Sequence, residues 1–111
     1  MLTDEYRYKI LKELQQDPDI NQRELARRLG ISLGKANFCL KALIEKGLIK
    51  ADNFKNSTNK VGYLYLLTPK GIEAKGVLTK AFLQRKLTEY ENLEQEIEAL
   101  RTDIKQTQAN C

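Results

Sequence analysis

The chain has 111 residues, 41% of them hydrophobic and 31% charged, with no His, no Trp and two Cys. That length suits one small domain with an appendage. The absence of His removes the commonest general base and the commonest zinc ligand. Two Cys are too few for a disulfide scaffold or a cysteine zinc site, so no metal, cofactor or catalytic residue is expected. Nineteen Lys and Arg against fifteen Asp and Glu leave a net charge of +4, which favours an anionic partner. No apolar run approaches the roughly 20 residues that span a bilayer, and Met1 is not followed by a signal-like core, so the expectation is a cytoplasmic protein with no membrane partner.

The charge is uneven. Residues 1–71 hold thirteen basic and eight acidic residues, a balance of +5, and residues 72–111 hold six and seven, a balance of −1. Residues 21–60 are densest, with nine basic against three acidic. Such asymmetry suits nucleic-acid binding by the basic part, although a merely solvated surface has the same composition.

The periodicity predicts five or six elements. Thr3 can cap a first helix to Gln16, with Asp4 and Glu5 in its first turn and Tyr6, Ile10, Leu11 and Leu14 on one stripe. Asp17-Pro18 stops it. Asn21 caps a second helix that ends at Gly30. Glu24 three residues on completes a capping-box pattern, and Ile20 with Leu25 makes a hydrophobic staple. Ser32 caps a third helix, which runs to Lys46 before Gly47. A connection this short between two capped helices reads as helix-turn-helix. Leu48 to Phe54 and Val61 to Leu67 then read as a hairpin around the polar cluster Lys55, Asn56, Ser57, Thr58, Asn59 and Lys60. Helix-turn-helix followed by hairpin is the winged-helix order. Thr68-Pro69 opens a last helix to about Gln106. The fold class is therefore mainly α with a small β-hairpin: a winged helix-turn-helix domain over 1–71, then a long helix over 72–111.

That last helix repeats every seven residues. Leu83, Tyr90, Ile97 and Ile104 occupy one row. Lys86, Leu93, Leu100 and Thr107 occupy a second row three positions on, in the a and d pattern of a coiled coil. Leu83, Leu87, Tyr90, Leu93, Ile97, Leu100 and Ile104 are the expected homodimer interface. Charges flanking the rows are mixed. In a parallel pair Glu96 would meet Arg101, but Glu89 would face Glu94, so parallel and antiparallel pairs both stay open. Folding back of the helix on its own domain is the competing structural use. Leu78, Ala81 and Phe82 lie off the seam and are expected to pack on the winged domain.

The run from Asn21 to Lys35, NQRELARRLGISLGK, resembles the helix-turn-helix of MarR-type winged-helix regulators. The stretches NFCLKALIEKG from Asn37 and NFKNSTNKVGYLYLLTPKG from Asn53 narrow the likeness. Together they are similar to the small MarR-family regulators associated with exopolysaccharide gene clusters in bacteria. The resemblance spans roughly residues 5 to 105. It implies a dimeric bacterial transcriptional regulator that binds double-stranded DNA at a pseudo-palindromic operator and is not an enzyme. The chain lacks the extra helices that enclose an effector pocket in larger MarR proteins, so a small-molecule effector is doubtful.

Helical geometry sorts the third helix. Ala36, Leu40 and Leu43 share the inward face, with Cys39 at its edge as a small buried hydrophobe. Gly34, Lys35, Asn37, Phe38 and Lys41 are the candidates for base contact in a major groove, which admits a helix. Asn37 suits adenine, Phe38 suits a thymine methyl, and Gly34 lets backbone come close. Lys35 and Lys41 suit phosphate better than bases. Gln22, Arg23, Arg27 and Ser32 are candidates for the DNA backbone, and residues Lys55 to Lys60 for the adjacent groove. Cys111 has no evident role. The alternative function is a winged-helix adaptor that uses its coiled coil to bind a different protein.

Overall fold

The computed structural model describes residues 3–55 and 61–109, in the order α1 (Asp4–Gln16), α2 (Gln22–Leu29), α3 (Leu33–Glu45), β1 (Ile49–Lys55), β2 (Val61–Leu67) and α4 (Pro69–Ala109). The elements follow the predicted order, and local chemistry sets their ends. Thr3 Oγ1 accepts from the Tyr6 amide at 3.2 Å, Asn21 Oδ1 from Glu24 at 2.7 Å and Ser32 Oγ from Lys35 at 3.1 Å, so each of the first three helices has a side-chain N-cap. Gly30 and Gly47 close α2 and α3 with φ of 67° and 74°, a left-handed backbone that glycine adopts at low cost.

Asn21 completes only half of the expected capping box. Its carboxamide caps α2, but Glu24 does not return to the Asn21 amide. The Glu24 carboxylate instead binds Arg27 Nε at 2.9 Å and Arg28 Nε at 3.2 Å. Two charged guanidinium donors three and four residues on outcompete one neutral amide.

The core of the winged domain is Ile10, Leu11 and Leu14 of α1, Ile20, Leu25 and Ala26 at α2, Ala36, Cys39, Leu40 and Leu43 of α3, and Leu48, Ile49 and Tyr65 of the wing. Cys39 is wholly buried. The hairpin is antiparallel, pairing Ile49 with Leu67 and Ala51 with Tyr65. Tyr65 ties it to the helices: its amide donates to Pro18 O at 3.0 Å and its hydroxyl accepts from Gln22 Nε2 at 3.1 Å.

The start of α4 docks on the turn after α3. Thr68 Oγ1 donates to Gly47 O and accepts from the Gly71 amide, while the Thr68 amide donates to Leu48 O at 3.0 Å. Gly71 sits so close that a Cβ there would overlap the Leu48 carbonyl. Here the glycine serves close approach of two backbones.

Two compact units divide between Leu78 and Thr79. Leu78 is buried in the first. In the second, Phe82 is half-buried with the Arg85 guanidinium 4.8 Å from its ring centroid. Ala81 is exposed, contrary to expectation; it keeps roughly the same side of the helix as Leu78 but lies a turn further on, in the second unit, past the last residue of the first. No helix among the described residues is long and apolar enough to cross a membrane.

Candidate nucleic-acid interface

The geometry of α3 follows from its inward stripe. Ala36, Cys39, Leu40 and Leu43 are buried, which fixes the rotation of the helix and turns Gly34, Asn37, Phe38 and Lys41 to the other side. Phe38 is 57% exposed. Asn37 is half-buried, yet among the described residues its carboxamide takes part in no hydrogen bond. Its donors and acceptor are unspent inside the protein. Lys41 is exposed and pairs with no carboxylate among the described residues. A Cβ built on Gly34 meets nothing within 4 Å, so the fold places no demand for glycine there.

Lys35 stands apart from this group. Its ammonium lies 4.4 Å from the centroid of the Tyr6 ring, a cation–π contact that holds it back against α1 at the flank of the face. Ser32 is exposed and spends its hydroxyl oxygen as the cap of α3.

The backbone candidates on α2 differ among themselves. Arg23 is exposed and unpaired among the described residues. Gln22 is engaged by the Tyr65 hydroxyl and half-buried. Arg27 is bound through two nitrogens to Glu24. Arg28 reaches Glu13 at 3.0 Å, Asp17 at 3.1 Å and Glu24 at 3.2 Å, which knits α1 to α2. Hydrogen bonds from Arg27 and then Arg28 pull the Glu24 pKa from 4.5 to about 2. Both arginines are raised in turn, Arg27 by its hydrogen bond to Glu24 and Arg28 chiefly by its hydrogen bond to Glu13 and then by that to Glu24.

Of the wing-tip candidates, Asn56, Ser57, Thr58, Asn59 and Lys60 lie outside the described residues, as does Cys111. Lys55 is the last residue of β1. On α4, Leu83, Leu87, Tyr90, Leu93, Ile97, Leu100 and Ile104 are all exposed, between 41% and 62%. Lys86, the interruption in the second seven-residue row, pairs within its own helix with Glu89 at 3.1 Å.

Among the described residues, four exposed large apolar side chains escaped the sequence reading: Leu33, Ile44, Ile72 and Val77. Leu33 opens α3 and is 44% exposed. The signal was its position directly after the Ser32 cap and four residues before Asn37, which places it on the same outer face. Ile72 is exposed on α4 and falls on the seven-residue row of Leu93 and Leu100. Among the described residues no three His, Cys, Asp or Glu side chains gather where they could hold a metal ion.

Residues 3–50 match the model of the winged helix-turn-helix DNA-binding family. No curated protein gives a significant match to the chain. Solved structures do. MarR of Staphylococcus aureus, in complex with salicylate and kanamycin, is 26% identical over 74% of this chain and 53% of its own, with a TM-score of 0.59. ZitR of Lactococcus lactis is 26% identical over 81% and 65%, with a TM-score of 0.62. The PcaV transcriptional regulator of Streptomyces coelicolor is 20% identical over 94% and 75%, with a TM-score of 0.66. The chain thus spans about half the length of the MarR structure it resembles. Residues 3–50 carry a winged helix-turn-helix domain, and the fold is similar to that of solved MarR-family transcriptional regulators.

Proposed function

We propose that this protein is a sequence-specific, double-stranded DNA-binding transcriptional regulator that works as a homodimer, with α3 in the major groove and the wing on the adjacent groove or backbone. One observation carries the reading: Asn37, Phe38 and Lys41 project from α3 opposite its buried stripe, with the carboxamide of Asn37 and the charge of Lys41 unspent within the protein. Arg23 at the start of α2 clamps phosphate beside them. The exposed seam from Leu83 to Ile104 joins two copies along α4, so the operator is a pseudo-palindrome with half-sites about 34–36 Å apart. The family resemblance of the wing and of the Thr68-Pro69-Lys70-Gly71 stretch points to exopolysaccharide genes as targets, in the bacterial cytoplasm at the nucleoid. No small-molecule effector is part of the proposal.

The test is a mobility shift on promoter DNA from the gene's own neighbourhood, with sizing of the protein alone and in complex. Salt-sensitive binding by a dimer is expected, and Asn37→Ala should lower the ratio of operator to random-DNA affinity. A dimer that ignores DNA at every salt concentration would instead favour the adaptor function.

A further inference from the structure

The outer face of α3 carries chemistry that specifies more than DNA in general. It bears two exposed apolar side chains, Leu33 at 44% and Phe38 at 57%. They bracket Gly34, Asn37 and Lys41 around the helix. The helix has no Arg, the side chain that most often reads guanine in two-pronged fashion. Lys35 is drawn aside over Tyr6. Leu33 and Phe38 are spare to the core, which closes without them, and each costs the free protein exposed apolar area.

The edge of a base pair in the major groove presents one apolar group, the C5 methyl of thymine. Exposed apolar side chains at the N-terminal end of a groove-reading helix have that group as their natural mate. Asn37 lies between the two, and its free carboxamide suits the N6 and N7 of adenine. Gly34 leaves a notch beside them, since nothing stands within 4 Å of where its Cβ would be.

We propose that α3 reads an A·T-rich half-site by covering one thymine methyl with Leu33 and a second with Phe38, on either side of an adenine bound by Asn37. Leu33 and Phe38 are five residues apart, about 7.5 Å along the helix axis, so the two methyls fall roughly two or three base pairs apart. This assignment rests on α3 being the DNA-reading helix.

The experiment selects duplexes from a random-sequence library with the full-length protein. The enriched duplex is then resynthesised with deoxyuridine for thymidine, which removes only the C5 methyls. Wild-type protein is expected to bind the uracil duplex about tenfold more weakly. Leu33→Ala and Phe38→Ala should each shrink that ratio to about threefold, and the double variant should bring it close to one. Both side chains are exposed, so the variants keep the fold, with circular dichroism as the check. Enrichment of a G·C-rich site, or a uracil duplex bound as tightly as its thymine parent, overturns the methyl-reading assignment while leaving DNA recognition intact. Failure to enrich any duplex, with no shift at low salt, overturns both.

Discussion

Gly34→Ala separates what α3 needs for folding from what it needs for binding. Gly34 is the second residue of the helix, is exposed, and has no left-handed backbone requirement. Its would-be Cβ has no neighbour within 4 Å, so alanine brings neither strain nor clash. Alanine also restricts the unfolded chain, and the gain at a position this near the helix end is about 0.5 kcal/mol. At about 4–8 °C per kcal/mol for a domain near this size, Tm should rise by about 2–4 °C. The same methyl projects into the space that the DNA is proposed to occupy. Overpacking of a tight contact costs about 1–3 kcal/mol, so operator affinity should fall by about 5-fold to 150-fold. Thermal melts at one fixed protein concentration and a titration by fluorescence anisotropy read the two effects separately. Gly71→Ala is the control, because its Cβ would overlap the Leu48 carbonyl and Tm should drop sharply. A Gly34→Ala protein that is stabilised yet binds operator as well as wild type would refute close backbone approach at this residue.

Other consequences concern the charges and the wing. The Glu24 carboxyl ionises near 2 in the folded protein against an ordinary 4.5, so its contribution to stability is complete above pH 4.5 and is lost as pH falls toward 2. Acid melts should therefore show the Tm gap between wild type and Glu24→Gln narrowing over that window; a gap that widens as pH falls contradicts the ion-pair account. The same variant frees Arg27, while Glu13 and Asp17 still hold Arg28, so at neutral pH it should bind random DNA about two- to threefold more tightly, as read by filter binding. Arg23→Ala should lower the slope of log affinity against log salt by about 0.9, the signature of one lost phosphate contact, and an unchanged slope removes Arg23 from the interface. Tyr65→Phe deletes the hydroxyl that Gln22 binds and should destabilise the domain by about 0.5–1 kcal/mol in urea titrations, at the low end because Gln22 can turn to water.

Much of this architecture is legible in the sequence because each boundary has a local chemical cause. Thr3, Asn21 and Ser32 accept hydrogen bonds three residues on, and Gly30 and Gly47 close helices in the conformation for which glycine is suited. The four- and three-residue spacing of Ala36, Leu40 and Leu43 sets which face of α3 turns outward. Pairings across the chain are not local and escape such a reading. Nothing near Gln22 announces Tyr65, forty-three residues on, and nothing near Lys35 announces the Tyr6 ring. The Glu24 spacing reads as a capping box, but the charged donors of Arg27 and Arg28, three and four residues on, take its carboxylate instead. Leu33 follows a cap directly, where a leucine suits core and surface alike. Only the position of the buried stripe shows that it faces out.

These pairings redistribute the positive charge of the winged domain. Of the basic candidates on α2 and α3, Arg27 is held by a carboxylate and Lys35 by an aromatic ring, which leaves Arg23 and Lys41 without a partner among the described residues. Two phosphate contacts release about two counterions, a small electrostatic gain for one domain at physiological salt. Affinity from these helices then depends on two features. One is direct contact with bases, which salt does not screen by counterion release. The other is joining two domains, so that the second engages at a high effective concentration. In the proposed homodimer the exposed seam on α4 would supply the second of these without adding any positive charge to the DNA face. On this account a seam variant such as Ile97→Asp should lower operator affinity far more than Arg23→Ala does, and its single-domain binding should keep the same salt slope per protomer. Equal losses from the two variants would mean that the domains act independently.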